Sequence, residues 1–158
     1  ELVMEEEVLF REKEIVDPPP KDYKEARGHF KKNFTLKSVD GETSFRCFIR
    51  YNSTFPENFS IGLIYNPIEE KGSICLLRCN GPHGESRKNP YHATYHIHKA
   101  TANAINTGRK PESMIKETDK YATLNQAIQY FIDYINLNQK DKNNFFPPSN
   151  PELFNNND

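Results

Sequence analysis

The sequence predicts an α+β domain, in which an antiparallel sheet of about five strands packs against an N-terminal helix and a C-terminal helix. From residue 34 onward, apolar and polar residues alternate in several short runs, which is the pattern of strands whose side chains point to two faces. Turn-forming residues between these runs favour hairpins and therefore antiparallel pairing. Residues 123–138 instead show helical spacing, which adds a helix to the sheet.

Length and charge favour a single domain without a general affinity for nucleic acid. The chain has 158 residues and a formal net charge of −1, which suits one compact core. We expect the domain to cover residues 1–138, with residues 1–20 forming a helix and a proline-rich linker. Residues 139–158 are rich in Asn and Pro and predict an extended tail. A site for polyanions must then be local.

The N-terminal segment predicts an amphipathic helix over residues 2–15, which the prolines at 18–20 prevent from continuing. Such a helix either packs on the sheet of its own domain or docks on a partner. Residues 23–27 could add one helical turn. The apolar residues of the tail could likewise dock on the domain or on a partner protein.

The sheet is predicted from two hairpins and a fifth strand. Residues 34–39 and 43–51 flank Asp40-Gly41, a preferred pair for a tight hairpin turn. Residues 59–65 and 72–78 flank a loop that contains Pro67 and form the second hairpin. The fifth strand covers residues 92–98. The helix that completes the domain begins at Thr123, which forms a capping box with Gln126.

Residues 78–99 contain four of the five histidines in the chain. In a strand over residues 92–98, one face carries four polar side chains: His92, Thr94, His96 and His98. His83 lies in a turn cluster of Gly and Pro that could aim it toward the same face. Imidazoles titrate near neutral pH and can serve as acid and base together. The alternative is that they form the solvent-exposed polar face of an edge strand.

The charge around the histidines is strongly positive. From residue 78 to residue 110 there are six Lys or Arg residues and a single acid, Glu85, a local formal charge of +5. Such a segment attracts phosphate. The candidate substrate-binding residues are Arg87, Lys88, Thr94 and Lys99.

The cysteines and the hydropathy pattern predict a reduced, cytoplasmic protein. Cys75 and Cys79, if on one strand, lie roughly 13 Å apart at about 3.3 Å per residue, too far for a disulfide. Cys47 makes the number of cysteines odd. No apolar run is long enough to cross a bilayer and no signal-peptide pattern is present, so we expect no membrane partner.

One region resembles a known protein family. It comprises the segment from Gly72 through Pro82-His83, the step Pro90-Tyr91-His92, and His96-Ile97-His98 before a late helix. This layout resembles the TumE-like toxins of bacterial toxin–antitoxin systems. The resemblance implies a bacterial toxin or defence setting and a cognate antitoxin as partner. The matching positions are Arg78, His83, His92 and His98. The chain departs from the family in the residues 80–81 and in a longer insert over residues 100–120.

These observations predict a small protein that acts on RNA, with the histidine strand as a metal-independent phosphodiester-cleaving site that needs no cofactor. His92 or His96 would remove the 2′-hydroxyl proton, and His98 or His83 would protonate the leaving oxygen. Arg78 and Lys99 would stabilise the phosphoryl charge. One alternative is a metal site ligated by the histidines. Another is a non-catalytic adaptor that binds nucleic acid through its basic middle and a protein through its ends.

Overall fold

The computed structural model describes residues 3–65, 73–83, 93–100 and 114–148. Within these ranges the strands are β1 (Lys13–Asp17), β2 (Lys24–Ala26), β3 (His29–Ser38), β4 (Ser44–Asn52), β5 (Phe59–Tyr65), β6 (Ile74–Asn80), β7 (His96–Lys99) and β8 (Met114–Glu117). The helices are α1 (Val3–Phe10), α2 (Leu124–Tyr134) and α3 (Gln139–Phe145).

The strands form one antiparallel sheet in the order β1, β3, β4, β5, β6, β7, β8, and β2 pairs with one end of β3. The α+β class and the antiparallel sheet are confirmed. The expected number of about five strands is wrong, because the described residues alone form a sheet of eight. The three strands that the pattern missed are β1, β2 and β8. They are short and largely polar, and each lies at an edge of the sheet, where its backbone groups pair with one neighbouring strand.

The N-terminal helix is shorter than the predicted residues 2–15. It ends at Phe10, and Lys13–Asp17 forms β1 against β3, with Ile15 opposite Leu36. Similarly, the expected helical turn over residues 23–27 is replaced by β2, which pairs with β3. In both cases pairing with the long strand β3 supplies backbone hydrogen bonds that outweigh a weak local preference for helix.

The C-terminal helices begin where side chains cap them. Thr123 accepts a hydrogen bond from the backbone N–H of Gln126 at 3.1 Å, as the capping box predicts, but α2 ends at Tyr134 rather than at residue 138. The predicted extended tail is wrong for its first part. Asn138 caps α3 by accepting from the N–H of Asp141 at 2.9 Å, which starts a helix in the Asn-rich segment.

One face of the sheet, termed the core face, holds the apolar core. Its buried side chains come from four strands: Phe34, Leu36, Phe45, Cys47, Ile49, Phe59, Ile61, Leu63, Leu77 and Cys79. Lys99 lies opposite Leu77, and its Nζ is 5.6 Å from the ring centroid of Phe10 in α1 and 5.9 Å from that of Tyr134 in α2. Both helices therefore lie on the core face.

The opposite face, termed the polar face, carries side chains that can bind or titrate. They are Lys24, Lys31, Arg46, Arg50, Ser60, Arg78, Asn80, His96 and His98. The fold thus separates a helix-covered apolar side from a side that gathers cations and imidazoles. No helix among the described residues is long and apolar enough to cross a membrane.

A fully buried lysine joins the helix ends to the sheet. The Lys13 ammonium donates to the carbonyl oxygens of Leu9 at 2.7 Å, Arg11 at 2.8 Å and Ile135 at 2.8 Å. Three acceptors match the three N–H bonds of an ammonium group. Nζ also lies 4.9 Å from the centroid of the Phe45 ring. Lys13 thereby satisfies carbonyls where α1 and α2 end, groups that helices leave without partners.

Candidate functional site

Two neighbouring strands position the candidate site. In β6 and β7, Asn80 lies opposite His96 and Arg78 opposite His98, so alternation brings all four to the polar face. The predicted strand over residues 92–98 is too long, because β7 begins at His96. Thr94 lies in a bend before it. Three other predicted residues, His92, Arg87 and Lys88, lie outside the described residues.

The central contact of the site joins two imidazoles. Nε2 of His83 lies 3.3 Å from Nε2 of His96, and the ring centroids are 5.1 Å apart. His83 is exposed, whereas His96 has no exposed surface. The pair therefore extends from solvent into the protein, and only His83 is in a position to meet a substrate directly.

Gly81 determines where His83 lies. Its N–H donates to the carbonyl oxygen of Phe59 at 2.9 Å, and a Cβ at this position would overlap the carbonyl oxygen of Glu57. Only glycine allows the chain to leave β6 so close to the start of β5. The turn then brings Pro82-His83 back toward the polar face, as the Gly and Pro cluster predicted.

A buried hydrogen-bond chain holds His96. Its Nδ1 lies 2.7 Å from the carbonyl oxygen of Thr94. A carbonyl only accepts, so Nδ1 carries the proton and Nε2 of the neutral ring is an acceptor. Asn80 Nδ2 faces this nitrogen at 3.4 Å, and Asn80 Oδ1 accepts from the Ser60 hydroxyl at 2.7 Å. The chain of contacts from Ser60 to Thr94 thus favours one tautomer of His96 and one ring orientation.

Tyr121 supports the same strand pair from behind. Its hydroxyl lies 2.8 Å from the carbonyl oxygen of His96 and 3.0 Å from that of Asn80, so one proton is shared between two acceptors. Burial is the main cause that raises the pKa of Tyr121 far above its usual value, which keeps the hydroxyl protonated as a donor. Tyr121 precedes α2, and it therefore ties the helix to the site.

The remaining predicted residues divide between the two faces. The His98 ring is buried, and its centroid lies 5.0 Å from that of His96; the half-buried Arg78 is its cross-strand partner. Both belong to the site. Lys99 lies on the core face, with its ammonium near Phe10 and Tyr134, so the structure does not bring it to the histidines.

Sequence reasoning missed three members of the site: Ser60, Asn80 and Tyr121. Asparagine is typical of turns, and Asn80 directly precedes the Gly and Pro cluster, yet it is the last residue of β6. Its role depends on Ser60 in β5 and His96 in β7, which are 20 and 16 positions away in the chain. A period-two reading extended by two residues would have placed Asn80 on the polar face with Arg78. Nothing local in the sequence marks Tyr121.

The site offers two nitrogen donors to a metal ion, His83 Nε2 and His96 Nε2. Catalytic zinc sites usually have three protein ligands. Among the residues that the structure describes, no group of three or more His, Cys, Asp or Glu side chains could hold a metal ion. A metal centre at this pair would therefore need a further ligand.

A separate groove lies elsewhere among the described residues. It has a volume of about 1290 Å³ and runs between α2, α3 and the segment before β2, with Tyr23, Tyr130 and Pro147 among its lining residues. Ligand sites commonly occupy such grooves. The histidine pair nevertheless offers the more specific chemistry, because imidazole is a common catalytic acid and base and hydrogen bonds orient the His96 ring.

Comparison of the chain with protein-family models, with curated proteins and with solved structures gives no significant match.

Proposed function

We propose that this chain is a small ribonuclease-like protein that cleaves RNA by acid–base catalysis, in a bacterial toxin–antitoxin or defence setting. The observation that carries the proposal is the hydrogen-bonded pair of exposed His83 and buried His96, with 3.3 Å between their Nε2 atoms. An exposed imidazole oriented by a buried polar partner is the usual arrangement of a catalytic acid or base.

The proposed reaction is attack of the RNA 2′-oxygen on the neighbouring phosphorus. A base removes the 2′-hydroxyl proton, the bond from phosphorus to the 5′-oxygen breaks, and an acid protonates that oxygen. The products are a 2′,3′-cyclic phosphate and a 5′-hydroxyl, so atoms and charge balance without a co-reactant. Two titrating groups are required, and histidines suit both roles at neutral pH.

Burial limits which histidines can exchange protons with RNA directly. His96 and His98 are 0% and 6% exposed, so direct proton exchange with a polymer is assigned to His83 and to the predicted residue His92. A charged His83 keeps its bond to His96 through Nε2–H and holds its second proton on Nδ1, the atom that would protonate the leaving oxygen. His92 would act as base. His96 is then a positioning residue, and Arg78 would stabilise the phosphoryl charge.

The test compares His83→Asn with His29→Asn on a mixed-sequence RNA. His29 is the remaining histidine and lies exposed at the start of β3, which makes it a matched control. Loss of an acid or base costs about 10²- to 10⁴-fold in rate, so we expect that fall for His83→Asn alone, with cyclic phosphate ends among the wild-type products. Equal rates in wild type and His83→Asn would contradict the proposal.

A second candidate, a metal centre at the same pair, is favoured by one distance. Two nitrogens at about 2.0–2.1 Å from a tetrahedral zinc ion lie roughly 3.3–3.4 Å apart, close to the 3.3 Å between the two Nε2 atoms. The bond from His96 Nδ1 to the Thr94 carbonyl is also common for metal-ligating histidines. Chelator separates the two candidates: cleavage that persists in strong chelator supports the acid–base reaction, and cleavage restored only by added zinc supports the metal.

A further inference from the structure

The polar face carries a row of cations that ends at the histidine site. Lys24 of β2 lies opposite Lys31 of β3, and Lys31 lies opposite Arg50 of β4. The row then continues through Ser60, Asn80 and His96 on the next three strands. All three cations are exposed. A line of positive side chains thus crosses the sheet toward the site.

This row places like charges directly opposite each other on three adjacent strands, an arrangement that destabilises a sheet. Within the described part of the chain, no carboxylate forms an ion pair with Lys24, Lys31 or Arg50. A fourth cation, Arg78, lies close to Arg50. Partial burial of the guanidinium lowers the pKa of Arg50, and the charge of Arg78 lowers it further. An anionic ligand would remove this repulsion.

An aromatic ring lies next to the cations. The Arg50 guanidinium carbon is 5.5 Å from the centroid of the Phe48 ring. Phe48 lies opposite Gly62, where any Cβ would overlap the ring. Glycine therefore lets the Phe48 ring lie across β5 toward β6, where Arg78 is the residue opposite Gly62. Aromatic side chains on a sheet next to basic residues bind single strands by base stacking and phosphate contacts.

We propose that Lys24, Lys31 and Arg50 form a phosphate-binding subsite for single-stranded RNA that leads to Arg78 at the histidine site, and that Phe48 stacks on a base. This inference rests on the proposed function for its choice of RNA as ligand. Three strand spacings of about 4.8 Å separate Arg50 from His96, or roughly 14 Å. The subsite therefore engages nucleotides beyond the one that is cleaved.

The first experiment measures binding without cleavage. The probe is a fluorescent single-stranded 2′-O-methyl RNA oligomer, which lacks the attacking hydroxyl. Lys31→Gln/Arg50→Gln should weaken binding and reduce the slope of log affinity against log salt by about 1.4, since each phosphate contact on a single strand contributes about 0.7. Lys116→Gln/Lys140→Gln removes two exposed positive charges from β8 and α3 and should leave the slope unchanged.

Three outcomes overturn the subsite: an unchanged slope in Lys31→Gln/Arg50→Gln, an equal loss in the control variant, or equally tight binding of double-stranded RNA. A thermal melt accompanies the titration. Because the substitutions relieve repulsion, the melting temperature should be unchanged or higher, and a clear decrease would mean that the two cations serve the fold instead.

The second experiment separates this inference from the proposed function. With the natural 2′-hydroxyl present, Lys31→Gln/Arg50→Gln should lower kcat/KM for an oligomer but not for a dinucleotide, which cannot reach the subsite. If the binding experiment succeeds while His83→Asn leaves cleavage unchanged, the subsite stands and the ribonuclease proposal fails. If cleavage depends on His83 but Lys31→Gln/Arg50→Gln changes kcat/KM equally for the oligomer and the dinucleotide, the subsite fails and the ribonuclease proposal stands.

Discussion

Nε2 of His83 lies 3.3 Å from Nε2 of His96, although the first ring is exposed and the second is completely buried. The contact makes the reactive character of a surface histidine depend on an interior hydrogen-bond chain. Residues that never meet the substrate should therefore influence cleavage, and the following predictions test this dependence.

Asn80→Ala removes the amide between Ser60 and His96. We expect a fall in kcat of up to about 10²-fold through misplacement of the imidazoles, with little change in KM, because Asn80 is 5% exposed and its side chain contacts Ser60 and His96. The free energy of unfolding should decrease by about 1–3 kcal/mol, since the Ser60 hydroxyl and His96 Nε2 lose a buried partner. Asn125→Ala, at an exposed position of α2, is the control. A change in KM alone would contradict a positioning role.

Gly81→Ala should displace His83, because the added Cβ overlaps the Glu57 carbonyl oxygen. We expect overpacking to lower the free energy of unfolding by about 1–3 kcal/mol. Most of the cleavage activity should be lost as well. Gly41→Ala provides the comparison. Gly41 has φ of 80° and open space around it, so alanine there should cost stability through backbone strain and leave cleavage intact. Full activity in Gly81→Ala would show that this turn does not position His83.

The contribution of Lys13 to the stability of the fold should depend on pH. Burial lowers its pKa from 10.5 to about 7, with the nearby Cys47 acting in the opposite direction. Between pH 7 and 10.5 the unfolded chain then binds more protons at this position than the folded chain, so the contribution of Lys13 to stability rises with pH. We expect the difference in free energy of unfolding between wild type and Lys13→Met to increase from pH 7 to pH 9.5 in urea titrations. A constant difference would mean that the three carbonyl acceptors keep the ammonium charged throughout this range.

Cys47, Cys75 and Cys79 are thiols that form no disulfide with one another, as the sequence predicted, and they should differ in reactivity. Burial raises the pKa of the Cys79 thiol to about 12 and that of Cys47 further still, whereas Cys75 is only half-buried. Alkylation of the native protein at pH 8 should therefore modify Cys75 first, because the thiolate is the reactive form. All three should react in denaturant. Early modification of Cys47 or Cys79, read by mass spectrometry, would contradict the packing of the core face.

Several elements could be predicted because their signals are local. Asp40-Gly41 sits between two alternating runs, and the structure has the turn of the β3–β4 hairpin there. The apolar run over Phe59–Tyr65 matches β5 in both bounds, and Thr123 caps α2. Each of these signals depends on neighbouring residues and intrinsic backbone preference. The α+β class follows from them.

Other elements could not be read from the chain, because their stability comes from distant partners. Lys13–Asp17 continues a helical pattern yet forms β1, since β3 offers an unpaired edge. His96 and His98 were predicted to share a face and do so. The contacts of His96 with Asn80 and His83 join residues that are 16 and 13 positions apart in the chain. The burial of His96 depends on the same packing. Composition and periodicity thus establish which residues could carry acid–base chemistry. Only sheet register and packing decide which imidazole is exposed and which one orients it, because burial and hydrogen-bond partners are properties of the folded chain.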